Sequence, residues 1–119
     1  MMTGEPAVIA LRDATDRYLE ACFEKETPPH ASELAAILNI LPHQLTRLFR
    51  REIGITPSAY LKSGQIRRAQ DLLRTTELSM NSVGYASGFG TRMSFFRAFR
   101  RATGVTPADY RASTRRDYK

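Results

Sequence analysis

A chain of 119 residues with one cysteine leaves little room for disulfide or cysteine-zinc chemistry. Cys22 alone cannot build an intramolecular disulfide framework, nor both hold a zinc cluster and act as a separate methyl acceptor. Its apolar neighbours recur at helical spacing, so it reads as a small core thiol in a reducing cytoplasm. Only two histidines occur, His30 and His43, and neither has a second histidine or a cysteine at a short helical spacing. No metal and no cofactor are therefore expected. No Ser-His-Asp set, paired carboxylates or phosphate loop is present, so the chain is not expected to be an enzyme. No stretch approaches the roughly 20 apolar residues of a membrane span, and the N-terminus lacks a basic segment before an apolar run. The expected setting is soluble and cytoplasmic. Sustained period-two alternation is missing as well, which leaves an all-α chain.

What is present is charge, unevenly placed. Residues 1–39 carry three Lys/Arg against seven Asp/Glu, a net of −4, and residues 40–119 carry fifteen against five, a net of +10. A basic region of this kind suits a polyanion, with an acidic region kept away from it.

Proline, glycine and threonine cut the chain into short helices. A first is expected over 7–24, with Val8, Leu11, Thr15, Tyr18 and Cys22 along one stripe. ETPPH (26–30) ends it, and Ser32 is expected to cap a short helix that finishes near Asn39. Pro42 starts PHQLTRLFRRE, which Gly54 closes. Thr56 then caps a longer helix to about Arg74, with Tyr60, Leu61, Ile66, Ala69, Leu72 and Leu73 as its apolar positions. Further helices are expected from Ser79 to Gly88 and from Thr91 to Ala102. The basic tail RASTRRDYK is expected to fray.

Part of this chain is written twice. FRREIGITPSAY (49–60) returns fifty residues later as FRRATGVTPADY (99–110). Phe49/Phe99, the arginine pairs 50–51 and 100–101, Gly54/Gly104, Thr56/Thr106, Pro57/Pro107 and Tyr60/Tyr110 keep step. Each copy extends upstream through a tight turn, Asn39-Ile40 or Gly88-Phe89, to a short helix holding a small residue, Ala35 or Gly84. Asn and Gly best tolerate the left-handed backbone that a sharp reversal needs. The unit is a helix-turn-helix, present twice.

The second helix of each unit has an inward stripe and an outward face. Leu45, Leu48, Phe49 and Ile53 face inward in the first, as Phe95, Phe99 and Ala102 do in the second. His43, Thr46, Arg47 and Arg50 are left outside in one copy; Arg92, Met93, Phe96, Arg97 and Arg100 in the other. Helices of this size fit the DNA major groove, where Arg pairs with guanine and Thr or an aromatic meets a thymine methyl. Arginines 50–51 and 100–101 are better placed for phosphates, with Arg67 or Arg68 of the longer helix. Major grooves on one face of B-DNA recur about every 34 Å. An eighteen-residue helix spans roughly 27 Å, so it suits a strut between two recognition helices, and the chain is expected to bind as a monomer.

These residues resemble the DNA-binding domain of the AraC/XylS family of bacterial transcription regulators. The likeness covers about residues 8–111. It is densest in VGYASGFGTRMSFFRAFRRATGVTPADYR (83–111), where Gly88-Phe89, Phe95, Arg97, Phe99, Gly104, Pro107, Tyr110 and Arg111 hold the signature spacing. The resemblance implies two homeodomain-like helix-turn-helix subdomains joined by a linker helix, about seven helices in all. The parts would be residues 1–55, 56–76 and 77–119. It implies base reading by His43, Thr46 and Arg47 in the first unit and by Arg92, Met93, Phe96 and Arg97 in the second. Backbone contacts would fall to Arg50, Arg51, Arg67, Arg100 and Arg101. Two positions depart from the pattern: Leu41 stands where a capping serine is usual, and Gln65 where a basic residue is common.

The expected function is a sequence-specific, double-stranded DNA-binding regulator at a promoter or operator. By analogy with the family it would be an activator working beside RNA polymerase. The acidic first helix reads either as a solvated cover or as a contact for polymerase or a sensor domain. The alternatives are a non-specific architectural DNA-binding protein, the DNA-binding part of a larger ligand-sensing regulator, or a helical adaptor with no DNA affinity.

Overall fold

The structure, a computed structural model, describes the backbone of residues 4–117 and the side chains of residues 9–115. Seven helices and no strand occur among them: α1 (Gly4–Lys25), α2 (Ala31–Ile37), α3 (Pro42–Glu52), α4 (Pro57–Thr75), α5 (Met80–Ala86), α6 (Arg92–Thr103) and α7 (Pro107–Asp117). The chain divides into two compact units. One holds residues 1–22 and 29–64, the other residues 23–28 and 65–119, so that α4 contributes to both.

In the first unit, α1 buries Leu11, Thr15, Tyr18, Leu19 and Cys22. The expected stripe is therefore present, broadened by Leu19, while the side chain of Val8 lies outside the described residues. Buried beside it are Leu34 and Ala35 of α2, Leu45 and Phe49 of α3, and Tyr60 and Leu61 of α4. Phe49 meets Tyr60 edge-on, with ring centroids 5.7 Å apart. The Tyr60 hydroxyl donates to Asp16 at 2.9 Å.

Ser32 does not cap α2. The N-cap is His30, in an extended backbone conformation and without a side-chain hydrogen bond. The capping is done from α1: the Tyr18 hydroxyl accepts the His30 N–H at 2.8 Å and donates to the Glu33 carboxylate. A partner twelve residues upstream fixes the helix start ahead of Ser32. Burial, and then the Glu33 carboxylate, push the Tyr18 phenol well above its ordinary value.

The second unit has an aromatic core. Ile66, Ala69 and Leu73 of α4 join Val83, Phe89, Phe95 and Phe99, with Leu72, Met80, Phe96, Ala98 and Tyr110 partly buried against them. Phe95 contacts Phe89, Phe96 and Phe99 at 5.3, 5.7 and 5.9 Å between ring centroids. Ala102 is exposed rather than inward: it lies in the last turn of α6, where Thr103 is the half-buried residue and donates to Phe99 O at 2.8 Å.

The tail does not fray where it is described, and α7 remains helical to Asp117; Tyr118 and Lys119 lie outside the described residues. Two of its arginines serve the end of α4. Arg111 donates to Leu73 O at 3.0 Å and to Leu78 O at 2.8 Å. Arg115 donates to Thr76 O at 2.7 Å and pairs with Glu77. Cationic donors on the last carbonyls of a helix satisfy orphan acceptors and complement its dipole.

Gln65 is a structural residue. It is only 5% exposed, and its Nε2 donates to Ser87 O at 3.3 Å and to Gly88 O at 3.0 Å, tying α4 to the turn after α5. A basic side chain here would have to bring its charge to the same two carbonyls. Gln65→Ala is expected to lower unfolding stability by about 1–3 kcal/mol, since two carbonyls lose their partner. Urea denaturation followed by circular dichroism measures this, and an unchanged midpoint would dismiss the tie.

Candidate nucleic-acid interface

Both reversals pass through a left-handed residue, Asn39 (φ 58°) or Gly88 (φ 82°). The next amide then bonds back into the short helix, Ile40 N–H to Ala35 O at 3.0 Å and Phe89 N–H to Gly84 O at 2.9 Å. Gly84 is small for a reason: a Cβ there would stand 3.0 Å from Cδ2 of the buried Phe95. The turns differ in length, because Gly90 lies between Phe89 and the N-cap Thr91, whereas Ile40 leads directly to the N-cap Leu41.

Beyond the turns, the two recognition helices repeat each other in accessibility, position for position. Leu45/Phe95 and Phe49/Phe99 are buried, Thr46/Phe96 and Leu48/Ala98 half-buried, and the other residues of 41–50 and 91–100 exposed. At about 100° per residue, Arg47 points directly away from the midpoint of Leu45 and Phe49, and Arg97 does the same in its helix. His43/Met93 and Arg51/Arg101 then lie about 40° to either side, and Gln44/Ser94 and Arg50/Arg100 about 60°. Thr46/Phe96 lie about 100° away, on the flank of the face.

The expected base-reading residues therefore do not stand equally. His43, Arg47, Arg97 and Met93 are exposed, Met93 at 66%. Thr46 is half-buried and its hydroxyl donates to Pro42 O at 3.2 Å. Phe96 packs partly into the core, and the Arg92 guanidinium lies 4.9 Å from its ring centroid. Arg92 and Phe96 thus form a cation–π pair at the start of α6. Gln44 and Ser94, absent from the expected set, lie nearer the centre of the face than Thr46 and Phe96. The helical period was the signal for them, since each stands three residues before the central arginine.

Of the expected phosphate contacts, Arg50, Arg51, Arg100 and Arg101 are exposed in the last turns of α3 and α6, and Arg67 is exposed on α4. Arg51 forms an ion pair with Glu52 at 2.9 Å. Arg68 is committed elsewhere in the second unit: its guanidinium lies 5.5 Å from the Phe23 ring centroid. With no other strongly charged group at their centres, the two outward faces are arginine-rich and offer donors to a polyanion.

The helix starts differ too. Thr91 accepts the Ser94 N–H at 3.0 Å. Leu41 has no acceptor to offer, and its own N–H instead donates to Gln44 Oε1 at 2.9 Å. Thr56 and Thr106 cap α4 and α7 as expected, accepting from Ala59 and Asp109 N–H, each at 3.1 Å.

Residues 34–113 match a family described as a helix-turn-helix domain. The chain is 35% identical over 71 residues to the arabinose operon regulatory protein of Salmonella typhimurium, covering 60% of this chain and 25% of that protein. It spans about a quarter of the length of the two arabinose operon regulatory proteins, from Salmonella typhimurium and Escherichia coli, that it matches. Among solved structures, it is similar to the DNA-binding domain of the global transcriptional factor AdpA in complex with a target DNA. There the TM-score is 0.80 at 29% identity, over 90% of this chain and 94% of that one. A transcriptional regulator with an AraC-type DNA-binding domain from Chromobacterium violaceum gives a TM-score of 0.75 at 26% identity, covering 92% and 93%.

Leu41→Ser is expected to stabilise the protein by about 0.5–2 kcal/mol, by giving the free amides of α3 an acceptor. Leu41 is 56% exposed, so little burial is lost. Thr91→Ala should shift stability the other way by a similar amount. Thermal unfolding of both variants checks the pair, and equal midpoints would count against the capping assignment.

Proposed function

The chain belongs to the AraC-type helix-turn-helix family, and from that premise we propose that it is a sequence-specific, double-stranded DNA-binding transcription regulator. The observation that carries this reading is the duplicated outward face. A single arginine-bearing helix is commonly just solvated, but two with matching accessibility, on matching turns, call for a common ligand. The solved AdpA domain of similar fold is held on its target DNA, which supports DNA as that ligand. The relatives are regulators rather than enzymes.

In this reading Arg47 and Arg97 make the central base contacts, since arginine pairs bidentately with guanine O6 and N7. His43 and Met93 flank them. Thr46, Arg92 and Phe96 contribute from the sides, with Phe96 and Arg92 acting as a stacked pair. Arg50, Arg51, Arg67, Arg100 and Arg101 neutralise phosphates and set the register. The two helices are assigned to neighbouring major grooves of one duplex, a proposal that rests on the repeat and on the unbroken nineteen-residue α4. A single copy then supplies both contacts, and the chain acts as a monomer at a promoter in the cytoplasm. Activation beside RNA polymerase is the sign of regulation that the family favours. Because the chain spans about a quarter of its relatives' length, the same reading holds if it is the DNA-binding part of a longer, ligand-sensing regulator. No helix among the described residues is long and apolar enough to cross a membrane.

Competition with unrelated DNA tests the proposal. A regulator keeps a preference of at least about 10³ for its site, whereas equal binding would identify a non-specific architectural protein. Protection of the selected site should be bipartite, its halves about one helical turn apart; a single protected groove removes the two-groove assignment. Arg97→Ala should relax preference at one base pair at a cost of about 1–3 kcal/mol. Arg101→Ala should instead weaken all sequences evenly and flatten the salt dependence. Identical behaviour of the two variants would refute the division of roles.

A further inference from the structure

We propose that Gln44 reads a base from the first recognition helix, and that its second task as a helix cap restricts it to donating. The assignment rests on the DNA-binding reading above. Its starting point is the N-cap of α3, where the Leu41 N–H donates to Gln44 Oε1 at 2.9 Å. Only the oxygen of a carboxamide accepts a hydrogen bond, so chemistry decides which way this amide faces. Oε1 is turned to the backbone and Nε2 is turned away from it.

Gln44 is exposed, on the same side of α3 as Arg47 and Arg51. It lies about 60° from the centre of the outward face, against about 100° for Thr46, whose hydroxyl is in addition bonded to Pro42 O. A freely rotating glutamine offers N–H and C=O side by side, the pairing that suits adenine N7 and N6. Gln44 keeps its oxygen on the cap and offers the NH₂ group. The major-groove edge with two adjacent acceptors is that of guanine, N7 and O6. The second recognition helix has no equivalent: Ser94 is short, and its Oγ lies 3.0 Å from both Thr91 Oγ1 and Thr91 O. Gln44 thus joins His43 and Arg47 near the centre of the first unit's reading face, with Thr46 on its flank.

The test begins with a duplex selected from random sequence by the unaltered chain. Binding is then measured with all four base pairs at every position of that site, for the unaltered chain, Gln44→Ala and Gln44→Glu, with thermal unfolding recorded for each. Gln44→Ala should flatten a guanine preference of about tenfold at one position to within about twofold. Gln44→Glu retains an acceptor for the Leu41 N–H, so its unfolding midpoint should match the unaltered chain. Its preference at that position should move to cytosine, whose N4 donates to a carboxylate. Replacing the guanine with 7-deazaguanine should weaken the unaltered chain and leave Gln44→Ala unaffected. If both variants keep the original preference at every position, Gln44 only caps, and the proposal is overturned. A loss spread evenly over all sequences would make it a phosphate contact and overturn it equally. An unaltered chain that selects no duplex defeats the DNA-binding reading itself, which is a different and distinguishable failure.

Discussion

The outward arginines depend on how the chain reverses after a seven-residue helix. Asn39 and Gly88 enter the left-handed region, and the following amides bond back to Ala35 O and Gly84 O. That bond fixes where the next helix starts, and a slip of one residue would rotate the helix by about 100°. Burial of two residues four apart, Leu45 with Phe49 and Phe95 with Phe99, then holds the rotation. Arg47 and Arg97 face solvent as a consequence of what lies opposite them. In the second unit the constraint is tight, because Gly84 leaves room for Phe95 where a methyl group would already press on it.

The ends of the helices show a second design rule. Local capping by threonine or serine is used at α4, α5, α6 and α7. Elsewhere a side chain from another element takes over: Tyr18 at the start of α2, Gln65 at the turn after α5, and Arg111 with Arg115 at the end of α4. Helix ends left without partners are costly when buried. These contacts therefore join helices of the same unit alongside the apolar core.

The two recognition helices are copies in shape but not in chemistry. The first carries a histidine and a glutamine around its central arginine, and begins at a leucine. The second carries a methionine and a serine, begins at a threonine, and stacks Arg92 on Phe96. A pair of matched scaffolds with unmatched faces suits an asymmetric site, since each half can be read by a different set of side chains.

Taken alone, the sequence determined the all-α class, the duplication, both turns, the threonine caps and the arginines opposite each core. All of these follow from terms that act over three or four residues, or from identities visible in a repeat. Two of its misplacements, Ser32 as a cap and the tail as frayed, have one origin, while Ala102 gives way to Thr103 through a local bond to Phe99 O. The same origin explains Gln65, which departs from a basic pattern and finds its partners in two carbonyls of a distant turn. The Tyr18 contact spans twelve residues, the Gln65 contacts 22 and 23, and those of Arg111 and Arg115 with α4 and its exit 33 to 39. Partners so far apart are paired only after the helices have packed, so no local periodicity announces them, and only the tertiary structure could decide them.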